Sequence, residues 1–243
     1  MCLSLCVSIA VCDMVLIHVH QCSCSSHLIP KLYRWNVLST LISLSHMPEY
    51  IQIYKKKSVE GVKPDRHLLM LIKCSLWVLY GLPLVHKDSI LVTTSNGVGF
   101  VIEVIYVVVF CISCDDQSRT DVVYVKLYLE FCFVVVSYAN TIWAIGSLVA
   151  KHTLIGIVCN LFNISIYVSF AKEKMVETKT LKSMPFRLSL LSFINAGLWT
   201  AYSLIYKIDI YVLICSGLET LFCAFQLIVH ACSYKPHQVG VIG

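Results

Sequence analysis

The chain has 243 residues, of which 58% are hydrophobic and 14% are charged, and its mean hydropathy is +0.77. Soluble domains carry about a quarter charged residues, so a soluble core of this size has no room for so much apolar surface, whereas a lipid bilayer accommodates it. The net charge of +5 comes with no basic cluster beyond Lys55-Lys56-Lys57, which argues against a nucleic-acid partner and favours a membrane surface.

The first 35 residues form an atypical N-terminal leader. The stretch from Leu3 to Val19 is apolar, but Asp13 interrupts it and no basic residue precedes it, unlike a signal peptide. The leader also contains a compact group of possible metal ligands, namely His18, His20, Cys22 and Cys24. This group is either a metal site or part of an unstructured leader, and the second interpretation is favoured.

The thirteen cysteines show no spacing typical of a disulfide framework, and most lie within apolar stretches. Buried cysteine behaves as a small hydrophobic residue, so these positions are expected to pack between helices. Cys111-x-x-Cys114 has redox spacing but follows an apolar run without a thioredoxin-like context. No metal or redox cofactor is therefore expected.

Seven apolar segments are each long enough to form a membrane-spanning helix, which needs roughly 17–25 residues. Charged and turn residues separate these segments, which cover residues 36–53, 68–85, 89–112, 122–146, 154–171, 186–206 and 210–232. Two connections, at 86–88 and 207–209, are only three residues long, and Lys151-His152 separates the fourth and fifth segments, so neighbouring helices are expected to be antiparallel. The sequence therefore predicts an all-α membrane protein with seven transmembrane helices.

Basic residues are distributed unequally between the two sides of the predicted membrane. The longer loops, at 54–67, 114–121 and 172–185, all fall on one side. That side carries eleven Lys and Arg residues, including one in the C-terminal tail, against five on the opposite side. Because cytoplasmic loops carry the excess of basic residues, the N-terminus is predicted outside and the C-terminus in the cytosol. We expect an integral multi-pass protein of the plasma membrane.

A sequence pattern of the first half returns about 120 residues further on. Leu76-Trp77-x-x-Tyr80 recurs as Leu198-Trp199-x-x-Tyr202, and the later pair Asn96-Gly97 recurs as Ser216-Gly217. An odd number of spans between two three-helix units gives both units the same orientation in the membrane, as parallel repeats. Transporters often bind their substrate at the interface of such repeats.

Polar residues within the predicted spans are costly and therefore mark functional candidates. They are Lys73, Asn96, Glu103, Asn195 and Glu219. The amide of Asn96 has donors and acceptors that suit a polyhydroxyl solute, although a bond to a neighbouring helix is the alternative. Trp77 and Trp199, one in each half, either stack on a sugar ring or belong to packing and interfacial positions. The spans contain no nucleophile–base pair and the chain no nucleotide-binding loop, so neither an enzyme nor an ATP-driven pump is indicated.

Motifs in both halves resemble the SWEET family of sugar transporters. The first half contains Lys55-Lys56-Lys57-Ser58-Val59-Glu60, Lys73-Cys74-Ser75-Leu76-Trp77-Val78-Leu79-Tyr80-Gly81-Leu82-Pro83, Asn96-Gly97-Val98-Gly99 and Ile102-Glu103. The second half contains Thr178-Lys179-Thr180, Met184-Pro185-Phe186 and Trp199-Thr200-x-Tyr202. The likeness runs from about Asn36 to Tyr234 and is strongest to plant hexose-type members.

The resemblance implies a 3+1+3 architecture, in which a linker helix joins two parallel three-helix bundles. The corresponding segments are the leader at 1–35, a first repeat at 36–113, the linker at 114–150, a second repeat at 151–234 and a short cytosolic tail at 235–243. The implied activity is energy-independent, bidirectional uniport of a hexose-like sugar by alternating access. The implied partners are a mono- or disaccharide and the lipid bilayer, with homo- or hetero-oligomers left open.

The resemblance also assigns a sugar pocket. Asn96 matches the asparagine of the first half, and Trp77 and Trp199 match positions that line the pocket. Asn195 matches a polar position one turn before Trp199. Ser216 occupies the position of the asparagine of the second half, and we retain it as a substrate-binding candidate.

Gate and hinge positions follow from the same resemblance. Tyr80 and Asp209 match a pair that closes the extracellular gate. Of four hinge prolines in the family pattern, Pro185 is clear, whereas His46 and Arg66 occupy two of the other positions.

One further departure concerns charge. Lys73 stands where family members usually carry Asn or Ser, one turn before Trp77, and we retain it as a substrate-binding candidate. A charge at the centre of a membrane helix costs on the order of 3 kcal/mol, so Lys73 needs a partner or is neutral.

Three alternatives to a sugar uniporter follow from these departures and from the topology. The first is a degenerate paralogue that does not transport and at most assembles with active copies. The second is a seven-helix receptor, against which the short outer loops and the repeat argue. The third is an amino-acid carrier of the wider PQ-loop superfamily, which the absence of a Pro-Gln dipeptide disfavours.

Overall fold

A computed structural model describes residues 29–59, 62–86, 89–177, 186–206 and 208–233. These residues form helices joined by short connections, and no strand occurs among them. The helices are α1 (Ile29–Leu44), α2 (Met47–Lys56), α3 (Asp65–Tyr80), α4 (Ile90–Ser113), α5 (Gln117–Ala139), α6 (Leu148–Glu177), α7 (Phe186–Ala201) and α8 (Ile210–Ser233). A π-helical turn follows α5 at Asn140–Ala144, and another follows α7 at Tyr202–Tyr206.

Each of the seven predicted spans contains helical residues, but the first span covers two helices. It is interrupted at Ser45 and His46, between α1 and α2. Pro48 explains the interruption, because proline has no N–H and its ring clashes with the carbonyl of the residue four positions earlier, here Leu44. Pro48 lies in the first turn of α2, where proline is tolerated. Among the described residues, α1 starts at Ile29, within the predicted leader.

The chain divides into two compact units, Met1–Ile166 and Tyr167–Gly243. The division falls within α6, whereas the sequence suggests that the second repeat starts at residue 151. The predicted segment limits therefore stay predictions. Pro185, most of the leader and the predicted tail lie outside the described residues.

In the first unit α4 is the central helix. It packs along α3 and also contacts both α1 and α2, so it lies between α3 and the first two helices. Asn36 fastens α1 to α4 by donating from Nδ2 to Thr94 Oγ1 at 2.9 Å. Tyr106 fastens the end of α1 to α4 by donating from its hydroxyl to the Ser43 carbonyl at 2.9 Å. The order of helices in space thus differs from their order along the chain.

The apolar core of the first unit lies toward the predicted cytosolic end. Its buried side chains are Tyr50, Ile53, Val59, Leu68, Val98, Ile102, Tyr106, Val107, Val109, Phe110 and Val123. Arg119 closes this end, because its guanidinium lies 5.5 Å from the Phe110 ring centre and donates to the Val62 carbonyl at 2.7 Å. The core therefore joins α2, α3 and α4 to the start of α5.

Helix α5 is the predicted linker, and its middle carries apolar side chains that are exposed in this chain. They are Val122, Tyr124, Val125, Tyr128, Leu129, Phe131, Phe133, Val135 and Val136. A helix with so much uncovered apolar surface is stable only against lipid or another protein. Its first turn is capped by Asp116, whose carboxylate accepts from the backbone N–H groups of Ser118 and Arg119.

The second unit is built on the pair α7 and α8, which pack along each other. The Thr200 and Thr220 hydroxyls meet at 3.1 Å and link the two helices. Tyr167, in the second half of α6, stacks on Phe222 of α8 with ring centres 5.5 Å apart. The pairing of α7 with α8 matches that of α3 with α4 in the first unit.

Four helices in the described ranges are long and apolar enough to cross a bilayer, namely Ile90–Ser113, Gln117–Ala144, Leu148–Val168 and Ile210–Val229. The stretch Ser189–Ile205 is apolar but shorter. Helix α3 has 16 residues, about 24 Å of helix at 1.5 Å per residue, and begins with charged residues. Its predicted span extends to residue 85, but turns replace the helix after Tyr80.

Candidate functional site

Among the described residues, each unit contains a tryptophan–tyrosine pair, and the two pairs have similar geometry. The Trp77 and Tyr80 rings lie 5.1 Å apart at 68°, and the Trp199 and Tyr202 rings lie 5.6 Å apart at 76°. Such edge-to-face contacts are the preferred arrangement of aromatic pairs. Both tyrosines are buried, as is Trp77. The repeat found in the sequence is therefore also a repeat of local geometry.

Asn96 and Ser216 occupy equivalent places in α4 and α8, each as the seventh residue of its helix. Asn96 donates from Nδ2 to the Val92 carbonyl at 2.9 Å, and Ser216 donates from Oγ to the Val212 carbonyl at 2.7 Å. Both side chains are thus bonded to the turn before them. With this bond made, the amide of Asn96 still has a second N–H that can donate and an oxygen that can accept. The hydroxyl of Ser216 has donated its only hydrogen and can only accept.

Lys73 and Asn195 also occupy equivalent places, four residues before Trp77 and Trp199, and both are half-buried. Residues four apart lie on one face of a helix. Each unit therefore presents a polar side chain and an indole on one helix face, with a cation in the first unit and an amide in the second.

Trp77 carries an unpaired donor. Its side chain is 4% exposed, and its indole N–H has no hydrogen-bond partner among the described residues. A buried donor without a partner costs about 1–3 kcal/mol. A conformation or ligand that supplies an acceptor to this N–H is favoured by a similar amount.

The two predicted gate residues are held by contacts within their own units. The Tyr80 hydroxyl lies 2.6 Å from His152 Nε2. The Asp209 carboxylate caps α8 by accepting from the backbone N–H groups of Tyr211 at 3.1 Å and Val212 at 3.2 Å. Closure of a gate by Tyr80 with Asp209 stays a prediction.

The sequence assigns no functional role to His86 or His152. Both contact Tyr80, with ring centres 5.5 Å and 5.0 Å from its ring. They are far apart in the sequence and fit no ligand motif, so no local signal predicts their meeting.

A family model described as "Sugar efflux transporter for intercellular exchange" matches residues 35–118 and again residues 153–238. The two matched segments coincide with the two halves that share the tryptophan–tyrosine geometry. The protein is thus an integral membrane transporter of two repeats, and not an enzyme, as the sequence predicts. The chain belongs to the SWEET family of sugar transporters.

Curated relatives agree with this assignment. The chain is 44% identical over 204 residues to bidirectional sugar transporter SWEET8 of Arabidopsis thaliana, covering 82% of this chain and 85% of the relative. It is 41% identical over 202 residues to bidirectional sugar transporter SWEET4 of the same plant, covering 82% and 80%. It is 37% identical over 202 residues to bidirectional sugar transporter SWEET7b of Oryza sativa subsp. japonica, covering 82% and 76%.

A solved structure shows the same fold. The chain aligns with the 3.7 Å resolution structure of a eukaryotic SWEET transporter with a TM-score of 0.73 and 24% identity, covering 83% of this chain and 95% of that chain. The likeness confirms the predicted 3+1+3 arrangement of seven transmembrane helices.

Proposed function

We propose that this protein carries a hexose-like sugar across a membrane in both directions, by energy-independent uniport with alternating access. The observation that carries the proposal is the repeated site, in which each unit combines an edge-to-face Trp–Tyr pair with a polar side chain seven residues into the next helix. The names of the plant relatives support a sugar as the substrate.

The chemistry of these residues suits a sugar. An indole face packs on the apolar C–H face of a pyranose, and an amide both donates to and accepts from its hydroxyls. The unpaired indole N–H of Trp77 adds a donor. We assign sugar binding to Asn96, Trp77, Trp199, Asn195, Ser216 and Lys73, with Tyr80 and Asp209 as the outer gate and Pro185 as a hinge.

Alternating access requires places where helices bend. The interruption between α1 and α2, and the π-helical turn after α7, are two such places in the described residues. Inserted residues and proline are the usual causes of helix kinks. The first span then bends at the segment around His46.

A second candidate function is a non-transporting paralogue, and the state of Ser216 favours it. Its hydroxyl hydrogen is committed to the Val212 carbonyl, so the second unit has fewer donors for a sugar than the first. A lost hydrogen bond to a neutral partner costs about 0.5–1.5 kcal/mol.

Uptake of labelled glucose into hexose-uptake-deficient yeast, with surface expression measured in parallel, tests the proposal. We expect saturable uptake that accelerates when unlabelled glucose is preloaded, because a uniporter works in both directions. Asn96→Ala should abolish uptake, whereas Asn140→Ala, which removes an exposed amide after α5, should leave it unchanged. Normal uptake by Asn96→Ala would show that the site is assigned wrongly.

Absence of uptake by well-expressed protein favours the paralogue. The combined change Ser216→Asn, His46→Pro and Arg66→Pro should then restore part of the activity. Arg66 is the second residue of α3, where proline is tolerated, and His46 has φ −85°, close to the proline value. Failure of this triple variant to transport would place the defect elsewhere, for example in the first helix.

A further inference from the structure

Two histidine rings meet beside Tyr80 within the unit Met1–Ile166. His86 lies in the turns that follow α3, and His152 lies in the second turn of α6. Their ring centres are 4.3 Å apart, with the planes at 35°. Both side chains are half-buried, and both lie on the predicted outer side of the membrane.

A hydroxyl group contacts one ring nitrogen of each histidine. Ser89 Oγ lies 2.5 Å from His86 Nδ1, and Tyr80 Oη lies 2.6 Å from His152 Nε2. Histidines that bind metals usually donate their other ring N–H to an oxygen, which fixes the tautomer and the ring orientation. With each of these ring nitrogens protonated and donating to its hydroxyl, the pair has the outer contacts of metal ligands.

We propose that His86 and His152 bind a divalent transition-metal ion that prefers imidazole, such as Ni²⁺ or Zn²⁺. His86 donates from Nδ1 to Ser89 and ligates through Nε2, whereas His152 donates from Nε2 to Tyr80 and ligates through Nδ1. Neutral imidazole is a common ligand of these ions, and water completes the coordination. The nearby Lys151 ammonium donates to the Ile142 carbonyl at 3.1 Å.

Bound metal would join the segment after α3 to the start of α6, next to Tyr80. A crosslink between two helices opposes their relative movement, so metal should slow transport. This consequence rests on the proposed sugar transport, whereas metal binding itself does not.

The binding test uses purified full-length protein in detergent, with Ni²⁺ as the probe and calorimetry and thermal unfolding as readouts. We expect saturable binding that stabilises the protein and is lost in His86→Ala and in His152→Gln. Ser89→Ala keeps both imidazoles but removes one outer contact, so it should weaken binding by about tenfold. Because Ser89→Ala removes only one hydroxyl, it still tests the site if a histidine variant fails to fold.

Two controls separate this site from other histidines. His237→Ala and the double variant His18→Ala with His20→Ala should bind Ni²⁺ as the unmodified protein does. Unchanged binding in both His86→Ala and His152→Gln would overturn the proposal. Loss of binding in the double variant alone would place the metal in the leader instead.

The uptake test compares labelled glucose uptake with and without Ni²⁺ in the yeast cells. We expect inhibition of the unmodified protein and none of His152→Gln, relative to its own uptake without metal. Equal inhibition of both proteins would refute the role in transport. A chain that transports no sugar would still give the binding result, so the two proposals can fail separately.

Discussion

At the level of single residues, the first unit contains a buried pair of ionisable side chains, His67 and Glu103. His67 Nδ1 and Glu103 Oε2 lie 2.6 Å apart, and both side chains are buried. Tyr50 and Tyr106 surround the imidazole, with ring centres 4.9 Å and 5.2 Å from it. The pair joins α3 to α4, and each group provides the hydrogen-bond partner that the other needs where water is excluded.

Removing one member of this pair should be strongly destabilising. His67→Ala leaves the Glu103 carboxyl buried without its partner, which costs about 3–5 kcal/mol of unfolding free energy. Replacing both, by His67→Phe with Glu103→Leu, should recover much of that loss. Denaturant or thermal unfolding in detergent measures both values.

An exposed ion pair provides the comparison. Lys126 of α5 contacts Asp65 of α3, with both side chains about half exposed. Because exposed pairs contribute about 1 kcal/mol or less, Lys126→Ala should change the unfolding free energy far less than His67→Ala. Equal losses would mean that burial does not set the strength of the His67 pair.

At the level of elements, the turn after α3 depends on a glycine. Gly81 ends this helix, and a Cβ there would press against Thr93 Oγ1 and lie 2.9 Å from the Thr93 nitrogen and 3.0 Å from the Ser89 carbonyl oxygen. Backbone atoms cannot move aside as the end of a side chain can. The close approach of α3 to the start of α4 therefore requires a residue without Cβ.

Gly81→Ala should separate these two helices and reduce both stability and uptake. Overpacking in a tight contact typically costs about 1–3 kcal/mol. Gly146→Ala is the matched control, since a Cβ there has no atom within 4 Å among the described residues. Thermal unfolding and glucose uptake measure the effect, and identical behaviour of the two variants would contradict the steric argument.

The cap of α5 gives a second prediction for an element. Asp116 accepts two backbone N–H groups of the first turn, at 3.0 Å and 3.4 Å. Asp116→Ala should lower the unfolding free energy by about 1 kcal/mol. Asp115→Ala removes the neighbouring exposed charge without the cap and should have little effect, so a similar loss in both would assign the effect to charge alone.

At the level of the whole molecule, the distribution of basic residues predicts the orientation in the membrane. An epitope tag at the N-terminus should bind antibody on intact cells, and a C-terminal tag should bind only after permeabilisation, because the basic loops stay in the cytosol. The opposite labelling would reverse the predicted inner and outer sides, including the outer position of His86 and His152.

The sequence alone determined the membrane class, the seven-helix fold and the repeated motifs, because apolar length and motif spacing are local properties of the chain. It also placed Trp77 and Trp199, and Asn96 and Ser216, at equivalent positions, and the two Trp–Tyr contacts and the two helix positions agree with that placement. The break before α2 was not predicted, although Pro48 provided a local signal for it.

The tertiary structure decided what depends on contacts between distant residues. Helix α4 lies between α1 and α3, although it follows both in the sequence. His67 pairs with Glu103, and His86 meets His152, across long stretches of chain. Helical periodicity shows which residues share a face, but it does not show which face of another helix they meet. Packing in three dimensions supplies that partner, and with it the candidate metal site beside Tyr80.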